Sequence, residues 1–320
     1  MRFFKYCLAS LFVFLTAYSA IAANLTVESE KQNYDDAKKL ITLEKEVNVN
    51  IDDINIRSPK AFLTITPDGK ADTATFVDGA RAIQVTPNSK SETKANILKI
   101  SLISKEVEAT GKVESRMEKL GKPTVTVMSD YQSFKVDSNV MEAKDNVVMT
   151  YGDIRATANA SKIWLSKNGG LDFLKLIGNA KINHDKIMVT GENVDLDAKT
   201  EIMTAKGSAY TNVIIDESTN VKVWANNQQY NNKTNTAIAN GAVKIHYNTY
   251  IATGPKAVMV ADTKTQKPNT IIFSGRSKIK DGDKSIEADR IVITMSPKNF
   301  AAEGNVKTQI GNIGGLNTGR

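Results

Sequence analysis
The chain has 320 residues, a net charge of +7, one cysteine and two histidines. Removing Arg2 and Lys5 with an N-terminal leader lowers that charge to +5, with both signs scattered, which permits contact with anionic lipid or phosphate without demanding it. No basic stripe with interleaved aromatics exists, so nucleic acid is not an expected partner, and the lone Cys7 leaves the rest of the chain without disulfide or thiol chemistry.

The first 23 residues read as an export signal. Arg2 and Lys5 precede an uncharged run from Tyr6 to Tyr18, and Ala20-Ile21-Ala22 supplies a small-x-small cleavage pattern. The alternative is an uncleaved anchor, because the apolar run to Ala23 sits at the lower limit for spanning a bilayer. Phe4-Lys5-Tyr6 before Cys7 does not fit a lipoprotein. No later segment is long and apolar enough to cross a membrane as a helix.

Past the leader, a landmark recurs: a turn residue, usually glycine, followed by a small or β-branched residue that opens an apolar alternation. It is clearest at Gly111-Lys112-Val113, Gly178-Asn179-Ala180, Gly207-Ser208-Ala209, Gly241-Ala242-Val243, Gly275-Arg276-Ser277 and Gly304-Asn305-Val306. Fainter copies fall at Lys45-Glu46-Val47, Gly79-Ala80 and Asp145-Asn146-Val147. The steps between them are 34, 32, 34, 33, 29, 34, 34 and 29 residues, a period near 32.

Between landmarks the alternation has a period of two. Val47, Val49 and Ile51 share one face; so do Val194, Leu196 and Ala198, and so do Val243, Ile245 and Tyr247. Asp68-Gly69, Asp78-Gly79, Asn168-Gly169, Asn240-Gly241 and Asp281-Gly282 read as hairpin turns. Asp35 to Glu46 and Leu171 to Leu176 are the only stretches that raise a helix. Each repeat is expected to hold two strands of five to eight residues, and one such hairpin cannot bury its apolar face without a stacked neighbour. The expected fold is all-β: an elongated antiparallel β jelly-roll of roughly 32-residue, two-strand repeats around a semi-open apolar interior.

Val223-Trp224-Ala225, Tyr230 and Ala237-Ile238-Ala239-Asn240-Gly241-Ala242-Val243 resemble the repeat of the LptA (OstA-like) periplasmic lipopolysaccharide-transport family. Ile286-Glu287-Ala288-Asp289-Arg290-Ile291, Gly304-Asn305-Val306 and Gly178-Asn179-Ala180 carry parts of the same pattern. The likeness covers residues 141–310, while residues 24–140 agree in spacing and strand texture, and residues 311–320 form a glycine- and asparagine-rich tail. The chain is nearly twice the length of a typical member. The resemblance implies a non-enzymatic periplasmic protein that holds the acyl chains of lipopolysaccharide or a related glycolipid in an apolar β groove and bridges inner and outer membranes. It also implies edge-strand addition to other jelly-roll transport proteins, with self-association as a further route, near Val47 to Ile51 at the front and Val306 to Ile310 at the rear. Alternatives are an inner-membrane-tethered docking scaffold (LptC-like) or a structural envelope repeat protein.

Candidate groove residues are the inward apolar positions of the strands. These are Ile163, Leu165, Ile187, Val189, Val194 and Leu196, followed by Val221, Val223, Val243, Ile245, Ile291 and Ile293. Plain core packing is the competing assignment for each. Lys222, Lys244, Lys278, Lys280 and Arg290 are candidate phosphate partners at the rim. No cofactor or metal is expected: His184 and His246 stand 62 residues apart without companions, and Asp281-Gly282-Asp283 lacks the further ligands of a calcium loop. Adjacent pairs such as Asp52-Asp53 point to opposite faces of a strand, and no serine sits in a nucleophile frame.

Overall fold
The computed structural model describes residues 25–311 except 52, 167–170, 216, 218, 263–267 and 296–297. The leader, the Asn168-Gly169 turn and most of the tail lie outside the described residues. Within them the chain is all-β. The strands are β1 (Leu25–Glu28), β2 (Lys31–Asp35), β3 (Leu40–Ile51), β4 (Ile54–Ile65), β5 (Ala71–Val77), β6 (Ala80–Thr86), β7 (Ser89–Ala95) and β8 (Ile97–Ser101). Next come β9 (Glu106–Lys119), β10 (Val125–Lys135), β11 (Val140–Tyr151), β12 (Ile154–Leu165), β13 (Leu171–His184), β14 (Ile187–Asp197) and β15 (Ile202–Ile214). The last are β16 (Asn220–Asn231), β17 (Thr236–Tyr247), β18 (Tyr250–Ala261), β19 (Pro268–Asp281), β20 (Lys284–Met295), β21 (Lys298–Glu303) and β22 (Lys307–Gln309). Neither stretch that raised a helix forms one: Leu171 to Leu176 opens β13, and Asp35 to Glu46 spans the turn between β2 and β3. Their branched and long apolar side chains find burial on one face of a sheet instead.

Every described ladder is antiparallel, and the long strands of the second half pair in sequence order, β14–β15–β16–β17–β18–β19–β20. Two compact units arise, the first ending at Gly178 and the second beginning at Asn179.

The glycine landmarks prove to be something other than turns. Gly111, Gly178, Gly207, Gly241 and Gly275 lie in the middle of strands of 12 to 14 residues. Gly207 and Ser208 both have positive φ (73° and 49°), as do Gly241 and Ala242 (76° and 48°). Between Lys206↔Asn227 and Ala209↔Ala225, these two residues of β15 face one residue of β16, Asn226. That is a β-bulge, and it bends the strand sharply. The repeat therefore holds two strands as expected, but each is about twice the expected length. The Asn240-Gly241 and Asp78-Gly79 hairpins are corrected likewise. Asp78-Gly79 separates β5 from β6, yet both run against β4 (Lys60↔Val77, Arg57↔Arg81) as one broken strand. Asp68-Gly69 and Asp281-Gly282 do sit at chain reversals, the latter closing Asp281↔Lys284.

The bulges fix where glycine is required. A Cβ on Gly241 would lie 2.5 Å from Asn226 Nδ2 and 2.9 Å from its Cγ, and one on Gly178 would lie 2.7 Å from Asn159 Nδ2. At Lys45 and Glu46 the same bulge is built without glycine, with φ of 60° and 50°. Left-handed backbone costs a residue with a side chain about 1–2 kcal/mol.

Because each strand bends at its bulge, its two halves present their apolar faces to each other. Gln228 shows the fold-over: its Nε2 donates to the Val223 carbonyl five residues back along the same strand, at 3.0 Å. Core side chains such as Val194, Phe273 and Ile291 are fully buried between the halves. The outer faces carry cross-strand ion pairs, including Lys206–Asp195 at 2.8 Å and Arg290–Glu303 at 2.9 Å, which stabilise exposed strands only slightly.

The front edge also differs from expectation. Asn48 to Ile51 are covered by β1, with Leu25↔Ile51 and Val27↔Val49, so β1 and β2 form the first edge. At the rear, β21 and β22 pair with β20 alone among the described strands.

Candidate functional site
The second unit encloses a cavity of about 460 Å³ within β14 to β19. One wall comes from the strand segments on one side of the bulges: Ile187 and Val189 of β14, Thr211 and Val213 of β15, Val221 and Val223 of β16, and Ile245 of β17. The opposite wall comes from the segments beyond the bulges: Met203 and Ala205, Gln228 and Tyr230, Ala237 and Ala239, Ala257 and Met259, and Ile271. Register aligns these rows, with Val213↔Val221 and Val223↔Ile245 on one side and Met203↔Tyr230↔Ala237↔Met259 on the other. A second hollow of about 490 Å³ shares Ile215, Val221, Ile245, Met259, Pro268 and Ile271 with it and extends to Tyr247 and Met295.

Side-chain volume explains why the space is there. Ala205, Ala237, Ala239 and Ala257 stand where larger residues would meet the valines opposite. Further along the same unit, Phe273, Ile279, Ile293 and Phe300 close the interior down to a gap of about 30 Å³. In the first unit, Ile51, Ile54, Leu98, Phe134 and Met141 leave about 50 Å³. The hollow is thus built where the alanines of β15, β17 and β18 face the valines of β14 to β16. Its volume falls within the roughly 300–1,000 Å³ of ordinary small-molecule sites.

The twelve sequence candidates divide accordingly. Ile187, Val189, Val221, Val223 and Ile245 line the cavity. Ile293 borders the small gap. Val194, Leu196, Val243 and Ile291 are buried in packed core, and Ile163 and Leu165 are buried in the first unit. The candidate rim cations lie on the outer faces: Lys278 is 3.9 Å from Glu287, Arg290 pairs with Glu303, and Lys244 sits 5.7 Å over the Trp224 ring. Lys222 and Lys244 alternate with the cavity residues Val221, Val223 and Ile245, and none of the five cations lines the cavity.

Two polar groups on the cavity wall, Gln228 and Tyr230, are not among the sequence's groove candidates. Gln228 accepts from Thr211 Oγ1 at 2.6 Å and donates to the Ala209 and Val223 carbonyls at 2.9 and 3.0 Å, tying both halves of the ribbon together. Gln132 does the same in the first unit, accepting from Ser115 Oγ at 2.6 Å and donating to the Val127 carbonyl at 3.0 Å. The two glutamines are 96 residues apart, three periods of 32, a signal present in the sequence. Tyr230 is 7% exposed, and its hydroxyl has no hydrogen-bond partner among the described residues. Burial pushes its ionisation above the usual phenol range.

On the outer face, Tyr210, Trp224 and His246 form an aromatic row, with ring centroids 5.1 and 4.9 Å apart. Desolvation, then the charges of Lys244 and Lys222, hold His246 below the usual imidazole value. Among the described residues no cluster of three metal-binding side chains occurs, and no helix is long and apolar enough to cross a membrane.

No family model matches the chain, and no curated protein matches it. Among the solved structures that align with it is LptH, the LptA homologous periplasmic component of the conserved lipopolysaccharide transport device from Pseudomonas aeruginosa. It is 12% identical with a TM-score of 0.35, over 40% of this chain and 94% of that one.

Proposed function
We propose that the protein is a periplasmic lipid carrier. In this reading it holds the acyl chains of lipopolysaccharide or a related glycolipid in the second unit and forms part of a bridge between inner and outer membranes. The hollow between the two halves of β14 to β19 carries this reading. An unfilled apolar space of this size costs stability through lost dispersion contacts, so a fold that retains it has a use for it. Each methylene transferred from water into it contributes about 0.8 kcal/mol, enough over one chain to hold a lipid across an aqueous gap. The periodic repeat, its resemblance to the lipopolysaccharide-transport family and the N-terminal export pattern support the same reading. The open rear strands β21 and β22 suit strand addition by a second jelly-roll.

The decisive experiment is mass spectrometry of lipids that copurify with the protein extracted from an envelope fraction in mild detergent. A carrier brings an acylated glycolipid at close to one per chain. Preparations free of any acylated lipid would overturn the reading in favour of a structural envelope protein.

A further inference from the structure
Lys222, Lys244, Lys278 and Lys280 point away from the hollow, and the ladder gathers them on the outer face. One cross-strand row runs Asn212–Lys222–His246–Ile251–Lys280 over β15 to β19, and the next runs Tyr210–Trp224–Lys244–Thr253–Lys278. The rows continue on β14 as Met188 and Thr190, so from β14 to β19 they hold four lysines and no carboxylate. The first acid is Glu287 on β20, opposite Lys278, and Arg276 already engages it at 2.9 Å. The outer face of the first unit is built differently: Lys60 pairs with Glu44, Arg81 with Glu92, Lys99 with Glu108 and Lys162 with Glu142. The four lysines of the second unit span three strand spacings, about 14 Å. Like charge gathered so closely repels itself, and an anionic partner relieves it.

The same face carries the apolar residues of a membrane interface. Trp224 packs between Tyr210 and His246, with Lys244 Nζ 5.7 Å over its ring. Ile251 lies within the lysine rows, Ile214 lies two residues along β15 from Asn212, and both are exposed. Tyr and Trp favour the boundary between headgroups and acyl chains because each has an apolar body and a polar tip. Lys buries its stem there and keeps its amine among the phosphates. A soluble acidic polysaccharide would use the amines and leave the isoleucines in water.

We infer that the outer face of β15 to β19 is a docking surface for an anionic phospholipid bilayer. The four lysines meet the phosphates, while Trp224, Ile214 and Ile251 sit at headgroup level. The inference is separate from the carrier reading, because docking on the outer face neither requires nor excludes lipid in the hollow. Each lysine held at an anionic surface raises partitioning about fivefold, and salt screens the gain.

The test is cosedimentation of the protein with sucrose-loaded vesicles of phosphatidylglycerol and phosphatidylethanolamine, compared with vesicles of phosphatidylcholine. The expected result is binding to the anionic vesicles alone, lost in high salt. Combining Lys222→Gln, Lys244→Gln and Lys280→Gln weakens binding by about a hundredfold, the product of three such factors. Combining Lys60→Gln, Lys99→Gln and Lys162→Gln removes the same charge from the first unit and weakens it by less than about threefold. In a Trp164→Phe background, brominated acyl chains quench Trp224, and the patch variant loses that quenching. Quenching that persists in the patch variant would place the chains in the hollow instead and overturn the inference. No binding to anionic vesicles, or equal weakening by the two triple variants, would also overturn it. So would binding to dextran sulfate with none to vesicles, which would assign the patch to an acidic polysaccharide.

Discussion

Val243 and Val223 occupy adjacent strands and have identical side chains, yet they should respond very differently to truncation. Val243 is 1% exposed and packed on all sides in the core cluster that includes Phe273 and Ile291. Removing two of its carbons forfeits about 1.6 kcal/mol of transfer energy at roughly 0.8 kcal/mol each. The void left behind adds up to about 1 kcal/mol more, so Val243→Ala should cost about 2–2.5 kcal/mol. Val223 is only partly buried and already borders empty space. Val223→Ala opens no new void and loses about half the transfer term, so it should cost under about 1 kcal/mol. Trp224 reports on the second unit and Trp164 on the first, so urea unfolding is followed by Trp224 fluorescence in a Trp164→Phe background. Equal costs for the two truncations would refute the hollow interior, since they would mean that Val223 is packed as tightly as Val243. Octadecanoic acid at a hundred times its dissociation constant should raise the stability of the unit by about 2.7 kcal/mol.

Filling the space should separate binding from folding. Ala239→Phe places a ring in the cavity and should abolish fatty-acid binding while changing the unfolding free energy in urea by less than about 1 kcal/mol, against the 1–3 kcal/mol expected if the site were already packed. The bulges are testable with paired substitutions: Gly241→Ala should cost about 2 kcal/mol or more, from positive φ and the clash with Asn226. Lys45→Gly should instead stabilise the first unit by about 0.5–1 kcal/mol, both read from denaturation midpoints. His246 titrates below its unfolded value because of desolvation, Lys244 and Lys222. The unfolded chain then binds a proton more readily near pH 6, so the stability this residue contributes is present above about pH 6.5 and is lost as pH falls through the folded value. His246→Gln should flatten that slope in urea midpoints measured between pH 7.5 and 5.

Much of this fold is written in local chemistry. The period-two alternation at Val243, Ile245 and Tyr247 places a strand because only that spacing puts all three on one face. The 32-residue period follows from two long strands and two tight turns. The glycines mislead in one respect: positive φ serves a two-residue hairpin and a mid-strand bulge equally well, and Asn240-Gly241 carries no local mark that distinguishes them. The ladder decides, because Asn240 pairs with both Asn227 and Lys256 as an ordinary strand residue.

The cavity is harder to read. Val223 and Val243 have the same type and phase, and whether either faces packed atoms or open space depends on the opposing half of the ribbon, where Ala237 and Ala239 stand in one place and Phe273 in another. That partnership spans a bulge and a register that one strand does not encode. Tyr230 is visible in the sequence as part of a family-like repeat, but the isolation of its hydroxyl exists only after both walls are assembled.

The account stands on hydrocarbon occupying the space within β14 to β19. A photoreactive p-benzoylphenylalanine placed at Val223, with a second at the fully buried Ile163 of the first unit as control, tests this directly when cells are irradiated and adducts are identified by mass. The account predicts a covalent acylated-lipid adduct at Val223 and none at Ile163. Adducts absent from Val223, or equally abundant at both positions, would contradict it.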